Sequence, residues 1–161
     1  MAGLEAITRF EISGVALDYA WNFMAEMGGQ GYEGLVFFAG KLDGNLAFLT
    51  EAYVPEQKAY KTAHGLLVHV ESEALHRFNA QLYEHSLRFI AQIHSHGESA
   101  YHSETDDEHS MITVLGGLSI VVPHFASSPF SLSTCAFYRR TRDGWQELSD
   151  FEKETSIRVV R

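Results

Sequence analysis

Apolar residues in ALDYAWNFMAEM, 16–27, recur at helical spacing: Leu17, Trp21, Met24 and Met27 share one stripe, and Gly28-Gly29 supplies a stop. The period then shortens. EGLVFFAG from Glu33 and NLAFLTEAYV from Asn45 are short apolar runs either side of KLDG, whose Asp43-Gly44 step marks a tight turn, so the pair predicts an antiparallel hairpin. HGLLVHV, 64–70, predicts another strand, with His64 at its entry and His69 as a partly buried ring. The segment before it, PEQKAYKTAHG, is expected to be a connecting loop. Ser72 is placed as the N-cap of a helix that buries Leu75, Phe78 and Leu82.

LRFIAQIHSH returns to strand character, DDEHSMITVL predicts a short helix ended by Gly116-Gly117, and LSIVVP is apolar enough to be a strand buried on both faces. CAFYRRTRDGWQEL closes the series as two strands around Asp143-Gly144. Helices interleaved with strands that often follow one another hairpin-fashion predict an α/β or α+β domain built on a mixed sheet. A length of 161 residues suits one domain, 1–161, with no repeat at a fixed period.

Composition narrows the chemistry. A net charge of -9 opposes a phosphate backbone, which excludes nucleic acid as the expected partner. No apolar run approaches the roughly 18–20 residues that span a bilayer, and MAGLEAITRFEISG has neither a basic leader nor an apolar core, so a cytoplasmic protein without membrane contact is expected. Cys135 is the single cysteine. It rules out an intrachain disulfide and a thiolate-rich metal cluster, and it is expected to be a small buried residue on a strand.

Any metal must therefore be held by His, Asp or Glu, and one segment concentrates them. IHSHGESAYHSETDDEHS, 93–110, holds four histidines and five acidic residues. Residues two apart on a strand share a face, so His94 and His96 present two imidazoles side by side. Ser103-Glu104-Thr105-Asp106 has the S-x-x-D spacing of a capping box, which fixes a carboxylate on a first helical turn, where it could serve as a third ligand. Three protein ligands leave a fourth position open, the catalytic pattern for zinc; His102 or His109 as a fourth ligand would make a closed structural site. Spacing alone leaves both arrangements open.

The string HSHGESAYHSETDD resembles the signature of the JAMM (MPN-plus) zinc metalloproteases, written H-x-H, a spacer, then S-x-x-D, with a separate glutamate on an early strand. The chain looks like a bacterial, JAB-type, deubiquitinase-like member, and Glu33 in GYEGLVFFAG matches the upstream glutamate in context and order. The resemblance implies an MPN fold, a curved mixed sheet flanked by helices with cytidine-deaminase-like architecture. It also implies one catalytic zinc ion on His94, His96 and Asp106, with Glu33 as general base and Ser103 as donor to the developing oxyanion. Tyr101 would face the substrate beside the metal or anchor its loop.

Two departures stand out. Gly97 replaces a proline common in the family, which should loosen the loop leaving the strand. The spacer is one residue short, so counting from His96 selects Asp107 and counting from Ser103 selects Asp106; Asp106 is preferred because a loop absorbs a deletion more easily than a helix changes its facing. The implied activity is cleavage after the C-terminal tail of a ubiquitin-like protein or its conjugates, in a bacterial ubiquitin-like conjugation pathway linked to phage defence. A processing peptidase for a sulfur-carrier or modifier precursor, and a non-catalytic MPN assembly module, are the alternatives. The short chain leaves recognition to its own surface, a partner subunit or a homodimer.

Overall fold

The structure, a computed structural model, describes residues 3–63, 65–101 and 111–161. Its centre is the predicted hairpin, β2 (Leu35–Asp43) with β3 (Leu46–Tyr53), paired antiparallel through the Asp43-Gly44 turn. Ahead of it lie β1 (Arg9–Ser13) and α1 (Gly14–Gly29); after it come β4 (Lys58–Thr62), β5 (Gly65–His69), α2 (Ser72–Glu84) and β6 (Arg88–Ser95). The chain continues through β7 (Leu118–Val122), β8 (Ala136–Thr141), β9 (Gly144–Glu147), α3 (Asp150–Ser156) and β10 (Ile157–Val160).

Eight strands form one mixed sheet in the order β10-β1-β3-β2-β6-β7-β8-β9. The neighbours β1/β10, β1/β3 and β6/β7 are parallel, and the rest are antiparallel. The fold is α+β, a curled mixed sheet flanked by helices, in keeping with the MPN-like architecture expected from the sequence. Among the described residues, no helix is long and apolar enough to cross a membrane.

Each face of the sheet has its own apolar layer. Ala16, Leu17, Ala20 and Met24 of α1 pack with Val36, Phe38, Ile93, Ile120 and Phe137 on one face. On the other, Leu35, Phe37 and Ala39 of β2 meet Phe78 and Leu82 of α2. The Phe37 ring lies 4.9 Å from Phe78 and 4.7 Å from Phe89, close enough for aromatic attraction beyond simple burial. Opposite Ala39/Gly40 the register shifts and leaves Thr50 of β3 as the bulged residue, and a Cβ on Gly40 would fall 1.6 Å from the Phe48 carbonyl oxygen, so this close approach requires glycine.

Several sequence expectations are corrected. Residues 55–65 are not a plain loop, because β4 pairs with β5 as a separate two-stranded sheet. Lys58, Tyr60 and Thr62 have little apolar company, so no alternation marked them as strand. Ser72 does not cap α2: the N-cap is Glu71, which makes no side-chain capping bond, and Ser72 is the first helical residue. The short helix expected in DDEHSMITVL does not extend over residues 111–115, which are bends, turn and irregular backbone; residues 106–110 lie outside the described residues.

The ends of the chain were not read as structure, yet β1 and β10 pair in parallel with Phe10 beside Ile157. Arg139 straps the N-terminal segment to β8 by donating to the carbonyls of Leu4, Ile7 and Gly116, with its guanidinium 4.9 Å over the Phe10 ring.

Cys135 is buried one residue before β8, as a small apolar residue would be. Burial pushes its thiol up from 9.0 to about 11, against smaller lowering effects from Thr134, Lys153 and Ser131. Above pH 9 the unfolded chain gives up this proton while the folded chain keeps it, so the group withdraws stability as pH rises toward about 11. A thiol reagent at pH 8 should react with the native protein at least about 100-fold more slowly than with the unfolded chain. Equal rates would show that the site is open.

Candidate metal centre

Strand alternation along β6 sends Ala91, Ile93 and Ser95 toward the α1 layer, and Gln92, His94 and His96 to the opposite face. Both imidazoles are buried, at 6% and 7% exposure, so whatever they bind is held away from bulk water. Their Nε2 atoms converge to 3.2 Å. Two nitrogens bound tetrahedrally at about 2.0–2.1 Å from one ion would be about 3.3 Å apart, so the pair is spaced to share a cation.

The tautomer is also suitable. His96 Nδ1 lies 3.3 Å from the Ser99 carbonyl, which can only accept, so that nitrogen carries the hydrogen and Nε2 presents its lone pair. The Tyr101 ring stands edge-on to His96 at 5.4 Å and is half exposed, which makes it a wall of the site beside open solvent.

Glu33 lies just upstream of β2, whose first residues pair with the histidine strand. Leu35 is opposite His94, and the Ser95 amide donates to the Gly34 carbonyl at 3.0 Å while the Gly34 amide donates to Ser95 Oγ at 3.0 Å. The paired register ends there, with Glu33 one residue before Gly34 and His96 one residue after Ser95. Glu33 itself is half-buried and stands two residues before β2 begins.

Ser103, Asp106, Asp107, His102 and His109 lie outside the described residues, as does His64. Among the described residues, no group of three or more His, Cys, Asp and Glu could by itself hold a metal ion. His69 sits on β5, with Nε2 3.4 Å from Glu71, as a partly exposed ring.

Gly97 itself is closely packed. The Phe125 ring lies over it, so that a Cβ there would come within 2.8 Å of Phe125 Cζ. Phe125 donates its amide to the His96 carbonyl at 2.7 Å, and His124 donates to the Glu98 carbonyl at 2.9 Å. These bonds hold His124, Phe125 and Ala126 in three successive left-handed conformations, with φ of 54°, 56° and 55°. Each such residue costs about 1–2 kcal/mol outside glycine, an expense that the packing of Phe125 against Gly97 and Gly28 offsets.

Three residues that sequence reasoning passed over also shape the site. Ser95 holds Gly34, and Gln57 holds Leu35 by bonds of 2.9 Å and 2.8 Å. Gln92 accepts from the amides of Met111 and Ile112 and donates to Ser119 Oγ, tying residues 111–112 to the histidine strand. For Gln92 alone there was a signal, a polar residue in the middle of an apolar strand, since a buried amide must find partners.

No protein-family model matches the chain. It is 36% identical over 149 residues to probable metalloprotease y4jG of Sinorhizobium fredii, covering 92% of each chain. The chain belongs to the family of that probable metalloprotease. The likeness runs past the LSIVVP strand to nearly the whole length, further than the signature alone reached. The fold is also similar to that of a protein from Desulfitobacterium hafniense solved in solution by a structural genomics consortium, with a TM-score of 0.64 over 94% of this chain and 93% of the other. At 12% identity that likeness concerns the fold alone.

Proposed function

We propose that the protein is a JAMM-type zinc peptidase that cleaves after the C-terminal tail of a ubiquitin-like protein, in precursors or conjugates. The observation that carries this reading is the buried His94–His96 pair, with Nε2 atoms 3.2 Å apart. Membership in the family of a probable metalloprotease supports it.

His94, His96 and Asp106 would hold the ion. When bound, zinc would polarise a carbonyl and lower the pKa of a water molecule to about 7, supplying a nucleophile at neutral pH. Glu33 takes the proton from the attacking water and returns it to the leaving amine, which in an isopeptide is a lysine side chain. Ser103 donates to the carbonyl oxygen as negative charge develops there. The buried imidazole face keeps these charges in a low-dielectric setting, where each interaction is stronger than in water. A scaffold would have no chemical use for a general base such as Glu33.

Incubation with a panel of ubiquitin-like proteins fused or conjugated through their C-termini, beside unrelated peptides, tests the substrate class. Cleavage at the junction of a ubiquitin-like tail, lost on chelation and restored by zinc, is expected. Cleavage of the unrelated peptides at equal rates would remove the substrate assignment. Cleavage of linear precursors but not conjugates would select the processing peptidase.

A further inference from the structure

Gln57 is half-buried on the stretch between β3 and β4, outside any metal-ligand spacing. All of its amide groups are engaged with backbone. Oε1 accepts from the Leu35 amide at 2.9 Å, while Nε2 donates to the carbonyls of Leu35 at 2.8 Å and Pro55 at 2.9 Å. The assignment of oxygen and nitrogen is fixed by these partners, because a flipped amide would set its oxygen against two carbonyls.

The reason lies in where β3 stops. Its last pair with β2 is Tyr53 with Phe37. Two residues later comes Pro55, which has no N–H to give and cannot carry a ladder onward. Leu35, two residues upstream of Phe37 on β2, would then have its outer N–H and carbonyl facing an ended strand. The Gln57 side chain supplies one acceptor and one donor there, as a paired strand residue would, and its bond to Pro55 keeps the amide in place.

On its other side the same stretch is held by β6, through the Leu35–His94 pair and the two Gly34–Ser95 bonds. Residues 34 and 35 are therefore gripped from both sides immediately before Glu33 leaves the sheet.

We infer that Gln57 is a positioning residue for the peptidase reaction: it completes the β2 ladder at Leu35 and so fixes the backbone that aims Glu33 at the His96 side of the site. This inference rests on the reading of Glu33 as general base. Misplacing a reacting group by about 1 Å can cost about 100-fold in rate, so a side chain that never touches substrate can act strongly through such a grip.

The test uses Gln57→Met, which keeps length and removes every hydrogen bond, and Gln57→Glu, which keeps the acceptor and sets a carboxylate against two carbonyls. Ile12→Ala on β1 serves as a control that loses stability far from Glu33. With the coumarin amide of a ubiquitin-like C-terminal tail as probe, kcat of both Gln57 variants should fall about 10- to 100-fold, with KM within twofold and zinc content unchanged. Ile12→Ala should keep kcat. Amide exchange at Leu35 should accelerate at least about tenfold in Gln57→Met, while β7 amides keep their protection.

Unchanged exchange at Leu35, or a Gln57→Met kcat within twofold of wild type beside an inactive Glu33→Gln, would overturn the inference. An active Glu33→Gln would instead overturn the reading on which it rests.

Discussion

Replacing Glu33 with glutamine is expected to lower kcat by about 10²- to 10⁴-fold and to leave the metal in place, the range typical of losing a positioned general base. Glutamine has nearly the same shape, so the Gly34–Ser95 bonds and the Gln57 grip on Leu35 need not change. Only the proton acceptor is lost. Because the proposed ligands are His94, His96 and Asp106 and not Glu33, its amide form should bind zinc as the native protein does. Metal content by plasma mass spectrometry, beside steady-state kinetics on one preparation, separates the two roles. A glutamine variant with near-native kcat would remove Glu33 from the chemistry.

The second large effect is the reverse, a folded protein without metal. Apparent zinc affinities of four-ligand sites amount to about 10–16 kcal/mol, hence roughly 2.5–4 kcal/mol for each ligand. His96→Ala should accordingly weaken zinc binding by on the order of 10²- to 10³-fold in chelator competition, with activity lost in step. The fold should survive, because His96 is tied to Val122 and Phe125 through its backbone N–H and carbonyl, which alanine retains. His94→Ala should behave alike. Undiminished zinc binding in either variant, with circular dichroism still native, would show that the imidazole pair is not the metal site.

The pairing of His94 with His96 was legible because a strand has a fixed period of two, and β6 keeps that period through the motif. Glu33 was singled out only through the order of elements in the family signature. The pairing of β2 beside it with β6 depends on a bulged antiparallel register that no local pattern encodes.

The apolar hairpins β2/β3 and β8/β9 announced themselves by runs around Asp-Gly steps. By contrast, β1 and β10 are short and meet across nearly the whole sequence, so neither looked like a strand alone. The hairpin β4/β5 was half missed because β4 is mostly exposed.

Gln57 and Ser95 escaped for a different reason. Their partners are backbone groups, which are the same at every position and leave no trace in residue type. Gly97 shows the opposite error: glycine was read as freedom, whereas here it makes room for the Phe125 ring.

X-ray absorption at the zinc edge of the wild-type protein tests the central claim most directly. The account predicts one zinc ion per chain, with a ligand shell of two imidazoles and oxygen donors and no sulfur. A shell with three or four imidazoles would mark a closed site drawing on His102 or His109, and a chain that takes up no zinc would contradict the peptidase assignment itself.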